Sequence, residues 1–94
     1  EAKPVNGTVI RNLVAYPNPT SGKVIIGFSG ETGSSYELTI SELSGRKVAV
    51  QELQGGEDMS SWTFDTSGLP KGVYSIRVIQ LDGLRYGTIR LVVQ

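Results

Sequence analysis

Apolar side chains in this chain recur at every second residue far more often than at every third or fourth. In KVIIGF, Val24, Ile26 and Phe28 fall on one side. In SYELTISE, Tyr36, Leu38 and Ile40 alternate with Glu37, Thr39 and Ser41. Val48 and Val50 repeat the step in RKVAVQEL, Trp62 and Phe64 in SWTFDT, and Tyr74, Ile76 and Val78 in GVYSIRVIQL. The last run, YGTIRLVVQ, sets Ile89, Leu91 and Val93 on one face. A period of two is that of an extended strand with one buried face. No stretch sustains an apolar period of 3.6 residues, so no helix is predicted. With an entry strand around Leu13–Tyr16, the pattern predicts about seven strands.

The breaks between these runs carry turn chemistry. Pro17–Gly22 separates the first two strands, Gly30–Ser34 the next two, and the polar stretch Gln54–Ser60 precedes the strand of Trp62. Ser44-Gly45 reads as a short hairpin loop, with Gly45 free to take the positive φ such turns need. Asp82-Gly83 joins the last two strands and is the strongest hairpin signal in the chain. About seven short strands in about 85 residues predict an all-β domain, an immunoglobulin-like antiparallel β-sandwich. The Cys…Trp…Cys signature of antibody domains is missing. Residues 1–12 read as a linker or N-terminal extension, and residues 13–94 as the domain.

Composition narrows the chemistry. Nine basic and nine acidic residues give a formal net charge of zero, which argues against nucleic acid as the main partner. No apolar run approaches the roughly 20 residues of a membrane-spanning helix. The opening EAKPVNG has neither the basic start nor the apolar stretch of a signal peptide. Cysteine and histidine are both absent. The domain is therefore built without a disulfide, and the commonest general base and zinc ligand are missing. No nucleophile–base pairing is visible among the serines, so the sequence reads as a non-enzyme with no cofactor. Glu57-Asp58 is the densest carboxylate pair and offers oxygen ligands of the kind calcium takes, but a solvated loop tip explains it more simply. Trp62 and the four tyrosines could face a sugar, yet Trp62 alternating with Phe64 fits a core position better.

Two local motifs shape the fold. In YPNPTSGKV, Pro17 and Pro19 preset two φ angles and push Tyr16 and Asn18 to extended geometry. In DTSGLPKGVYSIRV, Pro70 suits a tight turn and Gly72 suits the re-entry to a strand. Tyr74, early in that strand, sits where the tyrosine corner of Greek-key sandwiches does.

Taken in order, these motifs resemble the type A C-terminal sorting domain of the type IX secretion system of Bacteroidetes. An aliphatic-Tyr-Pro-Asn-Pro segment runs from Val14 to Pro19, with Tyr16, Pro17 and Asn18 inside it. A Gly-Arg-x-Val hairpin follows at Gly45, Arg46, Lys47 and Val48. A Leu-Pro-x-Gly-Val-Tyr corner spans Leu69, Pro70, Gly72 and Tyr74. A basic residue followed by aliphatics, Arg90, Leu91, Val92 and Val93, leads to Gln94. The resemblance covers Leu13 to Gln94. Members often end in lysine where this chain has Gln94, and many have an acid two residues before Gly-Arg, where this chain has Leu43 beside Glu42.

The resemblance implies a signal rather than an activity. Such domains end larger cargo proteins and direct them through the outer-membrane translocon, by way of the periplasm, to the cell surface or medium. The implied partners are the fused N-terminal cargo, the translocon, an outer-membrane shuttle protein and a sortase, which usually removes the domain and joins the cargo to lipopolysaccharide. Val5–Ile10 is an accessible place for that cut. The alternative is a fibronectin-like binding or spacer module.

The translocon-recognition candidates are Arg90, Leu91, Val92, Val93 and Gln94; the earlier motif residues read as mainly structural. From Thr66 onward, Lys71, Arg77, Arg85 and Arg90 face a single acid, Asp82, whereas the preceding part holds eight acids and five bases. A basic patch would steer an acidic partner, although Arg77, Arg85 and Arg90 also fit plain solvated positions. Strand addition at the terminal strand, and self-association through edge strands, are open to such a fold.

Overall fold

The computed structural model describes residues 9–94. Seven strands form in that part of the chain: β1 (Arg11–Tyr16), β2 (Lys23–Ser29), β3 (Ser35–Glu42), β4 (Lys47–Gln54), β5 (Ser60–Asp65), β6 (Gly72–Gln80) and β7 (Tyr86–Val93). They make two antiparallel sheets, ordered β1-β2-β5 and β4-β3-β6-β7. No helix forms among the described residues. The architecture is the expected immunoglobulin-like sandwich.

The inner faces follow the period-two alternation. Val24, Ile26 and Phe28 of β2 meet Tyr36, Leu38 and Ile40 of β3, with Ile76 and Val78 of β6 and Leu91 and Val93 of β7. Most of these side chains have no exposed surface. Phe28 and Tyr36 pack edge to face, with ring centroids 5.0 Å apart. The buried Tyr36 hydroxyl accepts the Glu31 N–H at 2.8 Å. Trp62 and Phe64 of β5 lie half-buried against this core, 5.2 Å apart, as the alternation predicts. Ile10, within the stretch read as a linker, is 5% exposed and packs in the same cluster; Arg11 and Asn12 already belong to β1. Asn12 takes φ 59° where the β1–β2 register slips, a conformation asparagine tolerates well, and its carboxamide donates to the Ser29 hydroxyl at 2.8 Å.

One local expectation is corrected. The Val48–Val50 alternation does not define the inner face of β4. The β3–β4 register shifts between Ile40 and Ser41, which sets Ala49 opposite Ile40 and leaves Val50 half exposed opposite Thr39. A bulge of this kind shifts which residues face inward. Asp82-Gly83 lies in the loop that joins β6 and β7 into an antiparallel hairpin, as expected. The β6–β7 loop spans residues 81–85, closed by the Gln80 N–H donating to the Arg85 carbonyl at 2.8 Å. Asp82 is drawn to another partner, its Oδ1 accepting the Ser35 N–H at 3.3 Å. Gly45 turns the β3–β4 loop, residues 43–46, with φ 98°, its N–H donating to the Glu42 carbonyl at 2.9 Å.

Candidate functional site

The Pro17–Gly22 segment does more than join two strands. It crosses to the other sheet and lies along the outer edge of β7. The Asn18 carboxamide donates from Nδ2 to the Arg90 carbonyl at 2.8 Å, and its Oδ1 accepts the Val92 N–H at 3.0 Å. One side chain thus occupies the place of a peptide group in a neighbouring strand. Two residues on, the Thr20 N–H donates to the Val92 carbonyl at 2.9 Å, and the Gln94 N–H donates to the Thr20 carbonyl at 2.8 Å. The outward main-chain groups from the Arg90 carbonyl to the Gln94 N–H are all taken. At the other end of β7, the Ile10 N–H donates to the Tyr86 carbonyl at 3.0 Å. Gly87 allows this approach: a Cβ there would lie 3.0 Å from Ile10 and 3.2 Å from a Leu13 methyl.

The clamp is itself anchored. Thr20 is 1% exposed; its hydroxyl donates to the Lys23 carbonyl and accepts the Gly22 N–H. Thr66, equally buried, holds the Gly22 carbonyl through both its hydroxyl, at 2.6 Å, and its N–H, at 3.1 Å. Both buried hydroxyls are satisfied, as buried polar groups must be. The Tyr16–Pro17 and Asn18–Pro19 peptide bonds are cis. Tyr16 is half exposed, and Pro17, Asn18 and Pro19 are exposed.

The second motif builds a corner. The Tyr74 hydroxyl donates to the Pro70 carbonyl at 2.6 Å, and its ring is 4% exposed. This is the bond a tyrosine corner makes. Leu69 packs half-buried on the core, and its N–H donates to the Thr66 carbonyl at 2.8 Å. Gly72 enters β6 with φ 152°, a positive value that lies beyond the left-handed helical region and that side-chain-bearing residues rarely adopt. Arg46 reaches Glu42 at 3.8 Å from a largely exposed position, a contact of little energetic weight.

The terminal strand divides its five candidate residues between two faces. Leu91 and Val93 are buried in the core. Arg90 is exposed and Val92 half-buried on the outer face, while Gln94 is exposed beyond the strand end. The basic residues divide as well. Arg85 is bound to Glu31 at 3.1 Å, within a cluster where Gln80 Nε2 donates to Glu31 at 2.9 Å and to the Ser34 hydroxyl at 3.1 Å. Arg77 and Arg90 make no ion pair with any described residue. Cross-strand register places Ser75 opposite Arg90, and Arg77 opposite Thr88. Ser75, Thr88 and Arg90 line a shallow hollow of about 280 Å³ together with Leu43, Tyr74 and Ile89. Thr20, Ser75 and Thr88 were not singled out by the sequence. The alternation of Ser75 with Tyr74 and of Thr88 with Ile89 marks two of them as outward-facing, but their meeting depends on the β6–β7 register.

No three metal-ligating side chains converge among the described residues, and Glu57-Asp58 stays an isolated pair. The fold is an immunoglobulin-like β-sandwich. Residues 14–94 match the family model of the secretion system C-terminal sorting domain, and the chain belongs to that family, the sorting domains of type IX secretion. The family is one of sorting signals and not of enzymes. Comparison with curated proteins gave no match.

Proposed function

We propose that the folded domain is the address of an N-terminal cargo protein, read at β7 by the type IX translocon and its outer-membrane shuttle protein. The cargo travels through the periplasm. A surface sortase then removes the domain and joins the cargo to lipopolysaccharide. The observation that carries this reading is the family match over residues 14–94, which takes in all of β2–β7 and half of β1. Its site is Arg90, Val92 and Gln94, the candidate residues that face outward or lie beyond the strand; Leu91 and Val93 serve the core.

The cut falls before Val9. Val9 bridges to Tyr86 and Ile10 is buried, so a sortase working at those two residues would have to open the sandwich. The rest of the Val5–Ile10 stretch, Val5–Thr8, lies outside the described residues. Peptide mapping by mass spectrometry of a cargo exported with this domain tests the reading. It should find a surface-attached cargo ending upstream of Val9. Surface cargo that still carries β1–β7 would contradict removal by a sortase, and cargo ending inside β1 would contradict the position.

A further inference from the structure

The terminal strand presents an edge sealed over its last residues, from the Arg90 carbonyl to the Gln94 N–H, and an open face. Strand addition needs free outward N–H and C=O groups. From the Arg90 carbonyl to the Gln94 N–H these belong to Asn18 and Thr20. A partner that reads β7 in the folded domain meets its outer side chains.

That face holds a charge without a counter-charge. The cross-strand neighbours of Arg90 are Ser75 directly opposite and, on the diagonals, Val73 and Arg77. None is acidic. Diagonal neighbours on one face lie about 7–8 Å apart at the backbone, so the two guanidinium groups raise the positive potential between them. On β3, Thr39 stands opposite Arg77 and Ser41 opposite Ser75. Glu37 is diagonal to Arg77 but makes no ion pair with it. Glu42, next to Leu43, is turned to Arg46 and to the Ser44 hydroxyl. Leu43 is 70% exposed and walls one side of the hollow.

Resting on the sorting assignment, we propose that this hollow is the contact point for a protein partner and takes a carboxylate side chain flanked by an apolar residue. The Arg90 guanidinium has the planar fork that pairs with a carboxylate through two parallel bonds. The Ser75 and Thr88 hydroxyls supply neutral donors beside it. Leu43 gives the apolar neighbour a surface to cover. Exclusion of water by that contact strengthens the charge pair, as at interface hot spots.

The test fuses the domain to a periplasm-targeted fluorescent protein in a type IX-competent host, with the folded state of each variant checked on purified domain by thermal unfolding. Arg90→Glu should lower surface fluorescence at least tenfold at unchanged melting temperature. Arg90→Lys, which keeps charge but loses the fork, should lower it severalfold. Arg11→Glu, a charge reversal on the three-stranded sheet, should leave it unchanged. Wild-type export of Arg90→Glu overturns the proposal while the sorting assignment stands. Failure of the wild-type fusion itself sinks the assignment instead. The purified domain is also mixed with anionic phospholipid vesicles. No Arg90-dependent binding is expected; binding lost in Arg90→Glu would give the hollow to a lipid headgroup and overturn a protein carboxylate.

Discussion

Asn18 holds Arg90 and Val92 across 72 and 74 residues of sequence, accepting from one main chain and donating to the other with a single carboxamide. The Tyr-Pro-Asn-Pro segment is therefore a clamp on the terminal strand. Pro17 and Pro19 have no N–H to compete for that edge, and they aim the side chain between them. The clamp covers the C-terminal part of the β7 edge, from the Arg90 carbonyl to the Gln94 N–H, in place of a neighbouring strand.

Asn18→Ala should remove both bonds. Because the site is exposed, water replaces part of what is lost, and the expected cost is about 1 kcal/mol of stability. Hydrogen exchange offers the sharper readout. The Val92 amide should exchange faster in the variant, while the Leu91 amide, on the β6 side of the strand, should change little. Equal acceleration of both would mean general loosening instead of a lost clamp.

Tyr74→Phe deletes the hydroxyl that binds the Pro70 carbonyl and leaves the ring in place. We expect a loss of about 1–2 kcal/mol in a urea unfolding curve, with the slope unchanged. Export by the folded variant should persist, since the corner serves the fold and does not face a partner. A loss of export at full stability would assign Tyr74 a direct role.

Deleting residues 90–94 is a poor probe of recognition. It strips Leu91 and Val93 from the core and frees Asn18. Leu91→Ala alone should cost about 2–5 kcal/mol, a large part of what a domain of this size possesses. Val92→Ala, on the outer face, should cost much less. Thermal unfolding of the two variants checks the ordering, and a reversed order would contradict the assigned faces.

Acid sensitivity should appear at Asp65. The Ser67 N–H, donating to its Oδ1 at 2.9 Å, and then the Ser67 hydroxyl hold the Asp65 carboxyl below its ordinary value of 3.8, with Lys23 nearby adding a little. A lowered folded-state value means that the carboxylate stabilises the fold fully above the ordinary value and loses this contribution as pH falls through the folded one. Urea midpoints measured at descending pH should therefore fall less steeply below 3.8 in Asp65→Ala than in the parent. Parallel curves would remove Asp65 from the acid response.

How much was legible beforehand depended on the range of the forces. Strand alternation is local, so Val24, Ile26, Tyr36, Leu38, Ile76 and Leu91 could be placed on inner faces from sequence. The Tyr74 corner was legible for the same reason, since its partner Pro70 is four residues away. β4 was misread because a bulge opposite Ile40 put small Ala49 inside and β-branched Val50 outside. The Asp82-Gly83 hairpin was legible, but the distant partners of its loop were not: Asp82 bonds Ser35, and Gln80 and Arg85 gather at Glu31. That cluster also takes Arg85 out of the free basic set. Local geometry explained the prolines of the first motif but gave no hint that Asn18 would cap β7. Such a pairing exists only once both sheets have formed.

The most direct test of the sorting claim is the location of a periplasm-targeted fluorescent protein carrying this domain, compared between a Bacteroidetes host with a working type IX system and the same host lacking the translocon. Fluorescence at the surface or in the medium of the first host, and periplasmic retention in the second, is the predicted result. Retention in both hosts, with the fused domain shown to be folded, would contradict it.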